Sequence, residues 1–324
     1  MQFVGCEGLF GSMQDTRHIY DEDLTGLSKK DWLTKLESLT EEHGYFSELG
    51  RKHYASFVEN STTLFVTFEN LQGIQVLSDD AHPIGWDMIR VANWSHLAMI
   101  SDGDTWFRDE HVYAYFDRMV DDGFFDEFEQ VIFYGAGPCG YAAAAFSVVA
   151  PGSTVLTVQP QATLDPAIAG WDERFAEERR RDFTSRYGYA PDMMDAAGQG
   201  FVIYDPCVTL DAMHAALFTA PNVTKLPVRH LGATIQTQLM DMQALYKTIA
   251  LASVGRLNRE SFAKLMRARR DHPPYLRNLL ARLDADDRSG LARMLCANVS
   301  RRLNAPKFAR RLRELESGGV DAAE

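Results

Sequence analysis

The chain has 324 residues, 46% of them apolar, and a formal net charge of −12; this is enough material for a large buried core, read as one large domain with an accessory part or as two modest domains. Its strongly apolar stretches, such as 142–149, fall far short of the roughly 18 residues that a membrane span needs, so no membrane crossing is expected. No basic or extended apolar leader precedes Cys6, and the four cysteines form no C-x-x-C pair, so the expectation is a cytoplasmic protein with free thiols, no disulfide framework, no metal cluster and no cofactor.

In chain order, 28–59 places Trp32, Leu33, Leu36, Leu39, Tyr45 and Phe46 at helix-like intervals, and residues 1–60 are predicted as a helical lead-in. The β-branched and aromatic run 62–69 reads as a strand, and the loop after it, with Gly73, Pro83 and Gly85, is long enough to line a site. Further strands are predicted at 96–100, 130–134, 154–158, 201–204 and 225–229. Between them lie an amphipathic helix at 110–120, a charged helix at 171–187 and a short helix at 210–217. One long helix presents Ile235, Leu239, Met242, Leu245 and Ile249 on a single face. Such alternation over 61–254 predicts an α/β fold, a mostly parallel sheet with helices on both faces.

The character then changes. Residues 1–254 hold 17 Lys+Arg against 36 Asp+Glu, whereas 255–316 hold 16 against 7. The latter stretch reads as a basic helical segment broken at Pro273, Pro274 and Pro306, followed by a tail at 317–324. A basic segment on an acidic protein suits either a polyanion or the acidic body itself; docking on the body is the expectation, with nucleic acid not expected as a partner.

The most informative run is QVIFYGAGPCGYAAAAF at 130–146: an apolar strand, a glycine-packed turn and an alanine-rich helix. It has the outline of a nucleophile elbow, whose third residue is exposed at the carboxyl edge of the sheet. That third residue is Gly137. Ligands of α/β sheets bind beyond the strand carboxyl ends, and the residues there are Gly137, Pro138 and Cys139, then Gln159, then Asp205, then His230.

The order elbow, acid, histidine makes 62–251 resemble the α/β-hydrolase superfamily. Laid on Gly135-Ala136-Gly137-Pro138-Cys139, the family pattern Gly-x-Ser-x-Gly puts Gly137 in the serine position and Cys139 in that of the last glycine. The resemblance therefore implies an α/β-hydrolase-like fold without the usual serine mechanism. The leading expectation is a non-catalytic or accessory module that binds a small molecule or glycan at the old active-site edge, near Gly73, Gly137, Pro138, Gln159 and His214. The resemblance places Gly73 where the family's oxyanion donors lie. A second expectation is a Cys139-dependent acyl hydrolase or acyltransferase, with His230 as base and Asp205 as its orienter. Against it stand bland readings: Cys139 as inert filling, Asp205 as the opening of a turn with Pro206, and His230 and His214 as structural histidines. A third is a nucleotide-binding enzyme using Gly135, Gly137 and Gly140 as a G-x-G-x-x-G turn.

Overall fold

Eight strands, β1 (Gly44–Leu49), β2 (His53–Val58), β3 (Thr63–Asn70), β4 (Ser95–Ser101), β5 (Gln130–Ala136), β6 (Thr154–Val158), β7 (Gln199–Tyr204) and β8 (Val223–Pro227), form one sheet. Their spatial order is β1-β2-β4-β3-β5-β6-β7-β8. The first two pairings, β1 with β2 and β2 with β4, are antiparallel; every later pairing is parallel. This computed structural model describes residues 19–317. The tail at 318–324 and Cys6 lie outside the described residues.

Helices α1 (Lys29–Thr40), α2 (Leu71–Leu77), α3 (Gly85–Ala92), α4 (Glu110–Asp121), α5 (Pro138–Phe146), α6 (Pro166–Ala169), α7 (Ala190–Met193), α8 (Thr209–Leu217), α9 (Ile235–Asp241) and α10 (Leu245–Ser253) fill the connections. Neighbouring strand residues point to opposite faces. Val66, Val131 and Phe133 join a core with Phe116 of α4 and the alanines of α5; Phe65, Ile132 and Tyr134 join a second core with Leu239 and Ile249 of α9 and α10. Both faces of the sheet are thus covered, and β4 and β6 are buried along their whole length. The architecture is α/β-hydrolase-like, as the sequence predicts.

Three local expectations differ from the fold. Residues 44–58, read as part of a helical lead-in, are the β1–β2 hairpin, turned at Gly50 with φ +69°. Tyr45 and Phe46 serve opposite faces, which only a strand allows: Tyr45 packs on Phe57 and bonds the Tyr115 hydroxyl at 2.6 Å, while Phe46 stacks on Tyr54. The long helix after β8 is two helices, because Gln243 turns to φ +53° between them. The charged helix at 171–187 is short turns, because buried Arg108 draws the carbonyls of Asp182 and Arg186 to itself at 2.7 and 2.6 Å.

The basic segment forms α11 (Arg259–Leu265), α12 (Pro273–Ala285), α13 (Ser289–Arg302) and α14 (Pro306–Ser317), the last three around a small core of Leu276, Leu280, Cys296, Val299 and Phe308. It meets the α/β part through apolar side chains, Leu257, Phe262 and Met266 packing in the same cluster as Leu226 and Val228. Its ion pairs among the described residues are internal, among them Arg302 with Asp271 and Arg311 with Asp284. Helix α11 lies beside β8, the last strand of the sheet.

Candidate functional site

The turn after β5 is built by close packing. A Cβ on Gly135 would stand 2.1 Å from the Cys139 carbonyl oxygen, so only glycine lets α5 start this close to its strand. Gly137 has φ +58° and ψ −126°, a combination sparsely open to other residues, and a Cβ there would meet nothing within 4 Å. Its amide donates to the Val158 carbonyl at 2.8 Å, and its own carbonyl accepts from Tyr141 at 3.0 Å. Pro138 fills the first position of α5. The result is a half-exposed stretch of backbone facing open space at the carboxyl edge.

Cys139, two residues on, is buried among the apolar side chains of the α5 core. Burial pushes its thiol well above the ordinary value, and Asp104 and Glu69 add to the shift. Among the described residues no hydrogen bond joins it to His230 or His214.

Asp205 is buried after β7, and both of its oxygens are occupied. Oδ1 accepts from the Cys207 amide and Oδ2 from the Gly232 amide, each at 2.8 Å, so the carboxylate braces the two loops after β7 and β8. His230 stands on the second of these loops with φ +68°, its Nδ1 3.7 Å from Cys207 Sγ and its carbonyl accepting from Asn278 of α12 at 3.1 Å. Burial lowers its pKa, with Asp205 acting in the opposite sense.

His214 is wholly buried in a different network. Its Nε2 donates to Asp172 Oδ2 at 2.9 Å, while its Nδ1 accepts from the Ala162 amide at 3.2 Å, and the Trp171 ring packs 4.5 Å away. Burial lowers its pKa, so the neutral tautomer fits these partners. Arg174 bonds Asp172 through Nε and Nη2 and reaches Asp211 at 2.7 Å. Gln159 closes the circuit, donating to Asp211 at 2.7 Å and accepting from the Ile235 amide at 3.1 Å. Here the polar side chains answer one another.

Gly73 also differs from an open donor: its amide is bonded to Asn70 Oδ1, which caps α2. The feature that sequence reasoning missed is nearby. A cavity of about 490 Å³ opens at the carboxyl ends of β3 and β5, lined by Glu69, Asn70 and Gly73, by Ala136 and Cys139 of the β5 turn, and by groups from α3, α9 and α10. Of the sequence-predicted site residues, Gly73 and Cys139 reach its wall; Gly137, Pro138, Gln159, Asp205, His214 and His230 do not.

Glu69 is the unusual group of that wall. Its carboxylate accepts from Thr67 Oγ1 at 2.7 Å and from the Ile84 amide at 3.0 Å, with no basic side chain as a partner among the described residues. Burial pushes its pKa up to about 7, the two hydrogen bonds opposing and Asp87 adding to the rise. Asp87 accepts from the Tyr246 hydroxyl and pairs with Arg90. The Tyr134 hydroxyl, close to Glu69 and Cys139, is buried without a hydrogen-bond partner among the described residues. In the sequence, the traces of this site are the long loop after 62–69, with Gly73, and the acid near the end of that strand.

No protein-family model matches the chain, and no curated protein matches it. Solved structures similar to it include an esterase of Pyrobaculum calidifontis, 12% identical, with 75% of this chain and 98% of that chain covered at a TM-score of 0.44. The capsule O-acetyltransferase of Neisseria meningitidis serogroup A is 12% identical over 63% of this chain and 93% of its own, with a TM-score of 0.41. The glycosylation associate protein (Gap123) complex of Streptococcus agalactiae is 14% identical over 63% of this chain, with a TM-score of 0.41. This chain spans 45% of the length of that last protein. The strand order of the sheet and its parallel run from β4 to β8 are themselves α/β-hydrolase-like.

Proposed function

We propose that this is an α/β-hydrolase-like protein with a degenerate nucleophile elbow, which binds a small polar ligand, a glycan fragment included, in the cavity beside the β5 turn. The observation that carries the reading is Gly137: the backbone makes the strained strand-to-helix turn of an elbow, yet the residue at its apex has no side chain to attack with. Two further features support it. The cavity has the volume of small-molecule sites, and its wall is polar, with Asn70, Gln236, Gln243 and Tyr246 among the lining groups.

Cys139 also borders the cavity, which keeps the thiol-dependent acyl hydrolase or acyltransferase as a second reading. Its burial and raised pKa weigh against it. A nucleotide at the Gly135–Gly140 turn is less favoured, because the carboxylates of the cavity wall would repel a pyrophosphate.

The test is a ligand-observed NMR screen of mono- and oligosaccharides and small polar metabolites, run beside an acyl-ester and thioester turnover assay. Binding that is lost in Ala136→Leu, a variant that fills the wall, with no turnover in wild type, is the expected result. Turnover abolished by Cys139→Ala would establish the thiol reading instead. No binding and no turnover would remove both.

A further inference from the structure

The cavity wall is acidic, and its one basic side chain is already paired. Glu69, Asp79, Asp80, Asp87 and Asp241 line it, against one guanidinium, Arg90. That guanidinium is already committed: it pairs with Asp87, lies 3.8 Å from Asp80, and donates to the Tyr20 carbonyl at 3.0 Å. Three further donors of the wall are engaged as well, the Ile84 amide by Glu69, the Gly73 amide by Asn70 and the Tyr246 hydroxyl by Asp87, which leaves only neutral side-chain groups such as Gln236 and Gln243 to donate.

His82 gives an independent indication. It lines the cavity and is only 3% exposed. Its Nε2 faces the Glu22 carbonyl, which can only accept, so Nε2 carries the proton. Nδ1 is then a buried acceptor lone pair, and it has no partner. A buried acceptor without a donor is costly, and a ligand that brings N–H groups relieves it. Among the described residues no three metal-ligating side chains converge to hold an ion. The negative charge is spread along the wall, as recognition of an extended organic cation requires.

We propose that the ligand of this cavity is an organic cation, a small polar molecule with at least one protonated amine, held by Glu69, Asp87 and His82 Nδ1. The inference rests on the binding reading above and names its chemical class. An ammonium supplies three donors and no acceptor, the complement of this wall. An anion would meet five carboxylates and no unpaired basic side chain. Because Glu69 holds its proton up to about pH 7 in the empty site, cation binding favours its ionised form and releases a proton.

Isothermal titration at pH 8 with spermidine, glucosamine, glucose and glucuronate tests the proposal. One or both amines are expected to bind, glucose more weakly and glucuronate not at all. Glu69→Gln and Asp87→Asn should each weaken the amine by at least about tenfold, the loss of one hydrogen bond to a charged group. Glu127→Gln, an exposed acid remote in sequence from the wall residues, should leave it unchanged. Equal or tighter binding of glucose or glucuronate overturns the charge class and leaves the binding reading standing. Amine binding indifferent to both cavity variants places the cation elsewhere on the acidic surface and also overturns it. Silence of all four probes overturns it too, and if the wider neutral panel is silent as well, the binding reading falls with it.

Discussion

Glu69 at the end of β3 and Asp172 beside the β6 edge are both carboxylates withdrawn from solvent at the same side of one sheet, yet they are treated in opposite ways. Asp172 receives Arg174 and the His214 ring, and although burial alone would raise its pKa, these bonds hold it below the ordinary carboxylate range. Glu69 receives a hydroxyl and an amide, faces a cavity, and is pushed up to about 7. The β6–β8 half of the edge is a closed circuit in which Gln159, Asp205, Asp211 and His214 brace loops. The β3–β5 half is left open. A satisfied polar network rigidifies a fold, whereas an open one marks where a ligand's groups are missing.

The comparison breaks most visibly at Asp172. Asp172→Ala leaves Arg174 and His214 without their shared partner, and the expected loss is about 3–5 kcal/mol of stability, as for other buried pairs cut on one side. Urea unfolding of wild type and variant measures it. A loss under about 1 kcal/mol would mean that the circuit does not brace the edge.

Glu69 should behave in the opposite sense, through pH. Its folded pKa stands above its ordinary value of 4.5. Below that value both states hold the proton and its stabilising effect is fully present. Between about 4.5 and 7 the folded state binds more protons than the unfolded chain, so stability falls as pH rises, by at most about 3 kcal/mol in all. Above about 7 the contribution is flat. Glu69→Gln should remove this slope, and chemical unfolding in steps from pH 4.5 to 8 reads it directly. A wild-type slope equal to that of the variant would show a carboxylate that is better served than its two hydrogen bonds suggest.

Asp205 sharpens the boundary between the halves. As a brace it holds two amides, Cys207 and Gly232, and Asp205→Ala should cost about 2 kcal/mol by orphaning them. Ligand binding at the cavity should be unaffected, since Asp205 does not line it. Loss of binding in a variant that remains folded would make the two halves one site.

What the sequence made legible follows from the range of the interactions. Six strands from β3 to β8 and the turn at Gly135 and Gly137 are local: β-branched runs, glycine packing and an alanine-rich helix reveal themselves within about 15 residues. The β1–β2 hairpin did not, because Trp32, Leu36 and Leu39 of α1 set a helical spacing that Tyr45 and Phe46 happen to continue. The break in the helix after β8 lies at Gln243, a residue type with no breaking signal. The cavity was least legible. It joins Glu69 to Asp87 of α3, and Asp87 to Tyr246 of α10, 159 positions further along the chain, and no spacing rule spans that distance. Asp205 and His230 were easier to find because each directly follows a predicted strand, although β8 itself ends at Pro227, and their position said nothing of whether they would be joined.

The smallest expected effect concerns the apex of the β5 turn. Gly137→Ser puts a side chain where a Cβ meets nothing within 4 Å, so packing does not oppose it. The backbone does: φ +58° costs a non-glycine residue about 1 kcal/mol or slightly more. The variant should therefore fold, with a slightly lower melting temperature. Restoring the hydroxyl alone should not restore ester hydrolysis, since His230 Nδ1 faces Cys207 and both oxygens of Asp205 are held by backbone amides, leaving no prepared base to take the proton. Measurable turnover of acyl esters by Gly137→Ser, absent from wild type, would show that the β6–β8 half still holds a working base, and the division of the edge into an open half and a purely structural half would have to be abandoned.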